Sequence, residues 1–467
     1  MIEKKIFFEK KFILFLIICF IALFLRIYQI NFDDLWFDEL SSLWIAEPNI
    51  TFKETIARNI ELNKGPHLVF TLILKYFFLM FGYNPDIARF VPMFFSIISV
   101  PALMYLVSII KKDKSWLLVG FLVSINFYSI SYSQEIRSYS LIFFLSIINL
   151  IFFIKILNNY KLIFFIFYYL ISLIGVSNHI FFFIIIFSQS IFIIFFFKNN
   201  KKKIIYFYLN VIVIFFSYLF IMYDSLLAQL LIKDFWIEPV KIDFFLNYYF
   251  SRFFGSKIMG AIYLIILIYL LWLNKKHILE YSNKLFLFLL LLINSYLLPL
   301  AYGFFKMPIL IDRYIIFVLI PILILISILT LSLKNKKIMN SILFVIILST
   351  LTNNYIEIFK RKNTKPEFKK SINYISNSKS ENLILMDNEN YVNKLIFNYL
   401  YLLNKNNHKI KIYNNNDTSI FEKVWVMCYL QVTNFKCSKP SYLTEKFTLE
   451  ESKSFHLIKI QLYKRNI

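Results

Sequence analysis

Apolar runs close to twenty residues long recur along this chain from residue 12 to about 354. A helix needs about 20 apolar residues to cross the hydrocarbon core of a bilayer. The pattern predicts a polytopic α-helical membrane protein. Its eleven expected spans lie near residues 12–30, 88–110, 115–132, 139–157, 162–178, 180–197, 204–222, 258–274, 284–302, 313–333 and 338–354. Segment 66–81 is shorter and carries His67 and Lys75, so we read it as an interfacial or re-entrant helix. A span there would move the Lys111 cluster and every later Lys cluster to the opposite face.

Beyond residue 355 the periodicity changes. Asn382 to Met386, Lys411 to Tyr413, Val424 to Met427 and the alternating Ile458 to Leu462 predict strands, and Tyr391 to Leu403 has helical spacing. The expected organisation is a membrane domain over 1–354, with an outer loop over 31–65, followed by a small soluble α/β domain over 355–467. About 100 residues suffice for an independent core.

The net charge of +23 changes the picture through its placement. Lys gathers in short loops: Lys4-Lys5 with Lys10-Lys11, Lys111 to Lys114, Lys155 to Lys161, Lys198 to Lys203, Lys275-Lys276, and Lys334 with Lys336-Lys337. The positive-inside rule puts such loops in the cytoplasm. The N-terminus is then cytoplasmic, and the tail is extracytoplasmic (periplasmic if the envelope has two membranes). No basic face is interleaved with aromatic residues in a soluble segment, which argues against nucleic acid. The apolar run Phe12–Tyr28 is long for a signal peptide and no small-residue cleavage site follows, so it reads as a retained helix. Three cysteines are too few for a disulfide framework; Cys428 and Cys437 can pair in an oxidising compartment or stay as two thiols.

The candidate chemistry gathers on one predicted face. Asn31-Phe32-Asp33-Asp34-Leu35-Trp36-Phe37-Asp38-Glu39 follows the first span, and carboxylates at a membrane boundary mark a site. Asp33 and Asp34 read as a solvated acidic loop. Asp34 and Asp38 would share one face of a helix, with Glu39 about 100° away. Asp38 suits a general base and Glu39 a second catalytic carboxylate, and the pair is the place for a divalent cation if one is used. The string Tyr132-Ser133-Gln134-Glu135-Ile136-Arg137-Ser138-Tyr139 is a polar island between apolar runs. Arg137 suits a phosphate through its planar fork of donors, with Arg89, Arg313 and Tyr139 as further phosphate ligands. Gln134, Glu135, His179 and His67 are candidate substrate contacts. Asp312 can instead simply pair with Arg313. No HExxH, CxxC or glycine-rich phosphate loop occurs, so nothing points to a nucleotide.

Taken in order, Trp36-Phe37-Asp38-Glu39, Ala88-Arg89-Phe90, Tyr132 to Leu141 with its Ser-Gln-Glu-x-Arg-Ser-Tyr string, Asn178-His179 and Asp312-Arg313-Tyr314 followed by Pro321 resemble the bacterial members of glycosyltransferase family 39. These are C-type membrane enzymes related to protein O-mannosyltransferases and to the aminoarabinose transferase of lipid A. The resemblance implies an inverting transfer of a sugar from a polyprenyl monophosphate to an extracytoplasmic glycolipid, surface glycan or protein. It matches Asp38 to the base and Arg137 to a cation on the departing phosphate. Relatives carry His-Pro-Pro-Leu where this chain has Lys64-Gly65-Pro66-His67. Competing expectations are an oligosaccharide transferase with a pyrophosphate-linked donor and a lipid-linked sugar flippase. A flippase would place its charges at mid-membrane between repeated halves.

Overall fold

The computed structural model describes residues 2–231, 237–239, 251–275, 284–378, 382–385, 390–404, 410–413, 421–430, 437, 439–440, 443 and 446–466. The chain divides into two compact units. A helical unit comprises Met1–Tyr28, Thr51–Ile73 and Phe90–Arg361, and a mixed unit comprises Gln29–Ile50, Leu74–Arg89 and Lys362–Ile467. These compact units follow different boundaries from the expected domains. The loop expected over 31–65 is not one piece, because its first half joins the tail and its second half joins the helices.

The helical unit holds α1 (Ile2–Ile27), α3 (Phe52–Asn63), the start of α4 (Leu68–Phe81), α6 (Phe90–Ile110), α7 (Ser115–Ser124), α8 (Phe127–Ser133), α9 (Tyr139–Asn158), α10 (Leu162–Asn178), α11 (Phe183–Phe196), α12 (Lys201–Ile221) and α13 (Tyr223–Leu230). The helices Lys257–Leu273, Lys284–Phe305, Leu319–Leu331 and Lys336–Asn354 complete it. Among the described residues six helices are long and apolar enough to cross a membrane, or seven if the bent pair α7–α8 counts as one. Four more apolar helices, α4 and α10 among them, are shorter. Part of the expected loop over 223–257 lies outside the described residues.

Burial is graded as a helical membrane protein requires. Helix α9 and the helix Leu319–Leu331 are almost wholly buried, whereas α12 turns most of its apolar surface outward. Phe220, Phe304 and Phe305 are 88%, 85% and 84% exposed, a wasteful surface in water and a natural one in lipid. Inside, polar side chains satisfy one another. Asn149 donates to Ser172, Gln189 donates to Asn149, Tyr168 donates to Gln189 and Asn294 donates to Ser188, joining α9, α10, α11 and the helix Lys284–Phe305.

The 54° bend between α7 and α8 has a specific support. A broken helix leaves carbonyls without intrahelical donors. Arg26 of α1 donates to the carbonyls of Val123 and Ser124 at 3.2 and 3.1 Å, and Asn354 donates to the carbonyl of Ile125. Asn126 caps α8 by accepting from the Ser129 N–H. Four Lys-rich segments meet at one end of the unit. Lys111 donates to Ser332, Lys155 lies over the Tyr105 ring, and Tyr160 donates to the Lys203 carbonyl beneath the Lys203 ammonium. Helices α9 and α10 then run from that end to the polar residues described below.

In the mixed unit β1 (Asn382–Leu385), β2 (Lys411–Tyr413), β3 (Lys423–Tyr429), β4 (Phe447–Phe455) and β5 (Ile458–Arg465) form one sheet in the order β2-β1-β3-β5-β4. Strands β2, β1 and β3 are parallel, and β5 is antiparallel to β3 and to β4. Alternation along β3 gives the sheet two buried faces. Val424, Val426 and Cys428 pack with Ile384, Phe421, Leu443, Phe447 and Tyr463. On the other face Trp425 and Tyr429 meet the helix Phe368–Ser376 through Tyr374 and Phe368. Helix α2 (Phe37–Ile45) packs against the helix Asn390–Asn404, and the short α5 (Pro85–Ala88) belongs to the same unit. Cys428 and Cys437 form a disulfide.

Candidate functional site

The sequence-predicted residues fall into two charged clusters, one in each unit. In the helical unit, four chain segments bring His67, Arg137, His179 and Arg313 within electrostatic range of one another. His67 precedes α4, Arg137 and Ser138 precede α9, His179 follows α10, and Arg313 lies in the 3-10 turn Asp312–Val318. His67 and His179 are 5% and 3% exposed, Arg137 6%, and Ser138 and Tyr139 are fully buried.

The two imidazole rings lie 5.5 Å apart, with Tyr139 at 5.9 Å from His67 and Tyr314 at 4.9 Å from His179. Burial, then the Arg137 charge, then His179 and Arg313, push the His67 imidazole well below the usual histidine range. Burial, then Arg137 and Arg313, push His179 down to about 3. Both rings are therefore neutral at pH 7 in this site. Glu135 and Asp312 act on the Tyr132 hydroxyl, so carboxylates border the cluster on the α8 side. Arg137 starts a loop turn through its N–H to the Glu135 carbonyl, and Tyr132 packs edge-on against Tyr139. The arrangement gathers two guanidiniums and two neutral imidazoles beside the first turn of α9, where backbone N–H groups also favour an anion.

The mixed unit holds the acidic stretch. Asp38 is half-buried in the first turn of α2, and its carbonyl accepts from Ser41 and Ser42. It lies close enough to Tyr429 to help burial raise that phenol above its ordinary range. Asp34 precedes the helix, so the shared helical face expected for Asp34 and Asp38 does not form. Nor are Asp33 and Asp34 solvated. Asp33 accepts from the Thr364 N–H and Asp34 from the Lys369 N–H, and burial raises the Asp34 carboxyl against the pull of Lys369 and Arg89.

Three of the expected site residues are engaged by the chain itself. Arg89, expected on phosphate, donates to both Glu39 oxygens and to the carbonyls of Ile30, Asp33 and Asp34. Its fork is spent on fixing the stretch that precedes α2. Glu39, expected as a second catalytic carboxylate or metal ligand, is fully buried between Arg89 and Lys365 at 3.3 and 2.9 Å. Those cations take the lone pairs a metal would need. Among the described residues no three potential metal ligands come together. Gln134, expected on substrate, gives both amide hydrogens to the carbonyls of Arg26 and Tyr28 and accepts from Arg361.

Sequence reasoning missed Arg26, Lys365 and the parts of Ser138, Asn178 and Tyr314. Asn178 accepts from the His67 N–H through its carbonyl and from the Phe70 N–H through its side chain. The adjacency of Asn178 to His179, and of Ser138 to Arg137, was the available signal. Lys365 had none, being 326 residues from Glu39. No protein-family model matches this chain, and no curated protein matches it.

Proposed function

We propose that this protein is an integral membrane glycosyltransferase that moves a sugar from a polyprenyl monophosphate to an extracytoplasmic acceptor. The observation that supports this reading best is the buried convergence of Arg137, Arg313, His67 and His179 beside the start of α9. Such a set suits a phosphate that leaves without a nucleotide, because the developing charge meets preorganised donors. Asp38, by the family resemblance, is the base. It accepts the acceptor hydroxyl proton while the acceptor oxygen bonds to the anomeric carbon. The bond from that carbon to the phosphate oxygen breaks, and its electron pair stays on the phosphate. Arg137 and Arg313 hold that phosphate. The gathering of four Lys-rich segments at one helix end supports a cytoplasmic placement of that end. The opposite end, with the histidine cluster, and the disulfide-bearing tail then belong to the extracytoplasmic side of the cytoplasmic membrane.

The test is mass spectrometry of surface glycans and glycolipids from a knockout complemented with wild type, Asp38→Asn or Arg137→Ala. A sugar that appears with wild type and is missing with both variants, at equal membrane levels of protein, is the expected result. Identical glycan profiles in all three strains would overturn the reading.

A further inference from the structure

We propose that His67 is a proton-coupled phosphate ligand, uncharged until it faces a phosphate dianion and protonated when it does. The inference rests on the phosphate reading above and adds the charge state that the site selects.

The geometry singles out His67 from its neighbour. His179 Nδ1 accepts the Phe181 N–H at 3.2 Å, so protonating that nitrogen would cost a backbone hydrogen bond. His67 Nδ1 instead meets the Ser138 hydroxyl, which can donate to a bare nitrogen or accept from a protonated one. The contact survives either state. The backbone at His67 is left-handed, φ +70°, a conformation strained for a non-glycine residue. Its N–H donates to the Asn178 carbonyl at 2.7 Å, and the Phe70 N–H donates to Asn178 Oδ1 at 3.2 Å. The strain is held by both bonds, and it fixes the imidazole among the two arginines.

The groups around it define the response. Arg137 and Ser138 face it from the segment before α9, Tyr139 from α9, His179 from the end of α10, and Arg313 from the 3-10 turn, with Tyr314 behind His179. Glu135 and Asp312 act on Tyr132, beside Tyr139, and contribute negative charge to the same surroundings. On their own the arginine charges oppose a third cation at His67. A bound phosphate reverses that field. The donor is a phosphodiester with one negative charge. When the anomeric C–O bond breaks, the phosphate keeps the electron pair and becomes a dianion. The acceptor proton goes to the base, so His67 takes its proton from solvent and returns it when the product leaves. The site thereby matches the leaving group more closely than the donor, which is the differential binding that accelerates a reaction.

The test is titration calorimetry on the full-length protein in lipid nanodiscs, in two buffers of different ionisation enthalpy at pH 7.5. The probes are geranyl phosphate, a dianion, and methyl geranyl phosphate, a monoanion. Wild type should take up about one proton with the first and none with the second. His67→Gln should abolish the proton uptake and weaken monoester binding about tenfold more than it weakens diester binding. Measurable diester binding, even if weakened, shows that this variant is folded. If it does not fold, Ser138→Ala should reduce the proton uptake. No uptake by wild type, or undiminished uptake in the variant, overturns the role of His67 while leaving the phosphate reading intact. Failure of wild type to bind either probe removes both.

Discussion

Arg89 Nη2 lies 3.3 Å from Glu39 Oε1, with the two side chains 3% and 0% exposed. Removing one member of such a pair strands the other charge out of water, which costs about 3–5 kcal/mol. Lys365 would lose a partner as well, since its ammonium lies 2.9 Å from the other Glu39 oxygen. Glu39→Ala and Arg89→Ala should each destabilise the mixed unit by about that amount. Chemical denaturation followed by Trp fluorescence would measure it, and the double variant should cost much less than the sum. Additive losses would show that the two residues act separately.

Arg26 is fully buried and uses all five of its donors on neutral acceptors: Ser96, Ala22, Val123, Ser124 and Ser129. Hydrogen bonds to a charged group are worth about 1.5–3 kcal/mol each, though not additively. Arg26→Met should therefore lower the stability of the detergent-solubilised protein by at least about 3 kcal/mol. Arg26→Lys, with three donors on a point charge, should fall between. Melting temperatures of both variants against wild type give the order. Equal values for methionine and wild type would mean that the α7–α8 bend needs no such support.

The parts of this fold legible in the sequence are those set by local periodicity. The expected helix 391–403 is observed as Asn390–Asn404, and the strand at 411–413 matches its expected limits. Strand β4 was not legible, because Thr448-Leu449-Glu450-Glu451-Ser452-Lys453 forms a largely exposed edge with no apolar alternation. The helix Phe368–Ser376 was overlooked within a Lys-rich stretch, although Phe368, Ile372 and Ile375 mark a buried face. At the candidate site, residue type singled out His67, Arg137, His179 and Arg313, and the fold brings these four into one cluster. It could not say that Arg89 and Gln134 spend their donors on the chain itself. That depends on carbonyls brought together by tertiary structure, and a carbonyl leaves no mark in a sequence.

Acid should destabilise the protein through its buried histidines. His179 is pushed down to about 3, so between pH 3 and the unfolded histidine value near 6.5 the unfolded chain binds more protons than the folded one. Stability is fully present above that window and is lost as pH falls through it. At pH 5 the loss from His179 amounts to about 2 kcal/mol, and His67, shifted in the same direction, adds to it. Melting curves at pH 7.5 and pH 5 should show the drop. His179→Phe should flatten the pH dependence, and a dependence unchanged by that substitution would place the titrating group elsewhere.

The disulfide between Cys428 and Cys437 joins the buried face of β3 to a residue nine positions on. Closing so short a loop restricts the unfolded chain by about 2–3 kcal/mol in the chain-entropy account. Cys428→Ser should lower the stability of the mixed unit by that order, and reductant should do the same to wild type and nothing to the variant. The bond also reports on compartment, since cytosolic thiols are kept reduced. Alkylation of intact cells followed by mass spectrometry of the tail should find both sulfurs unmodified unless a reductant is added first. Alkylated Cys428 and Cys437 in untreated cells would instead place the tail in the cytoplasm and invert the proposed orientation of every helix before it.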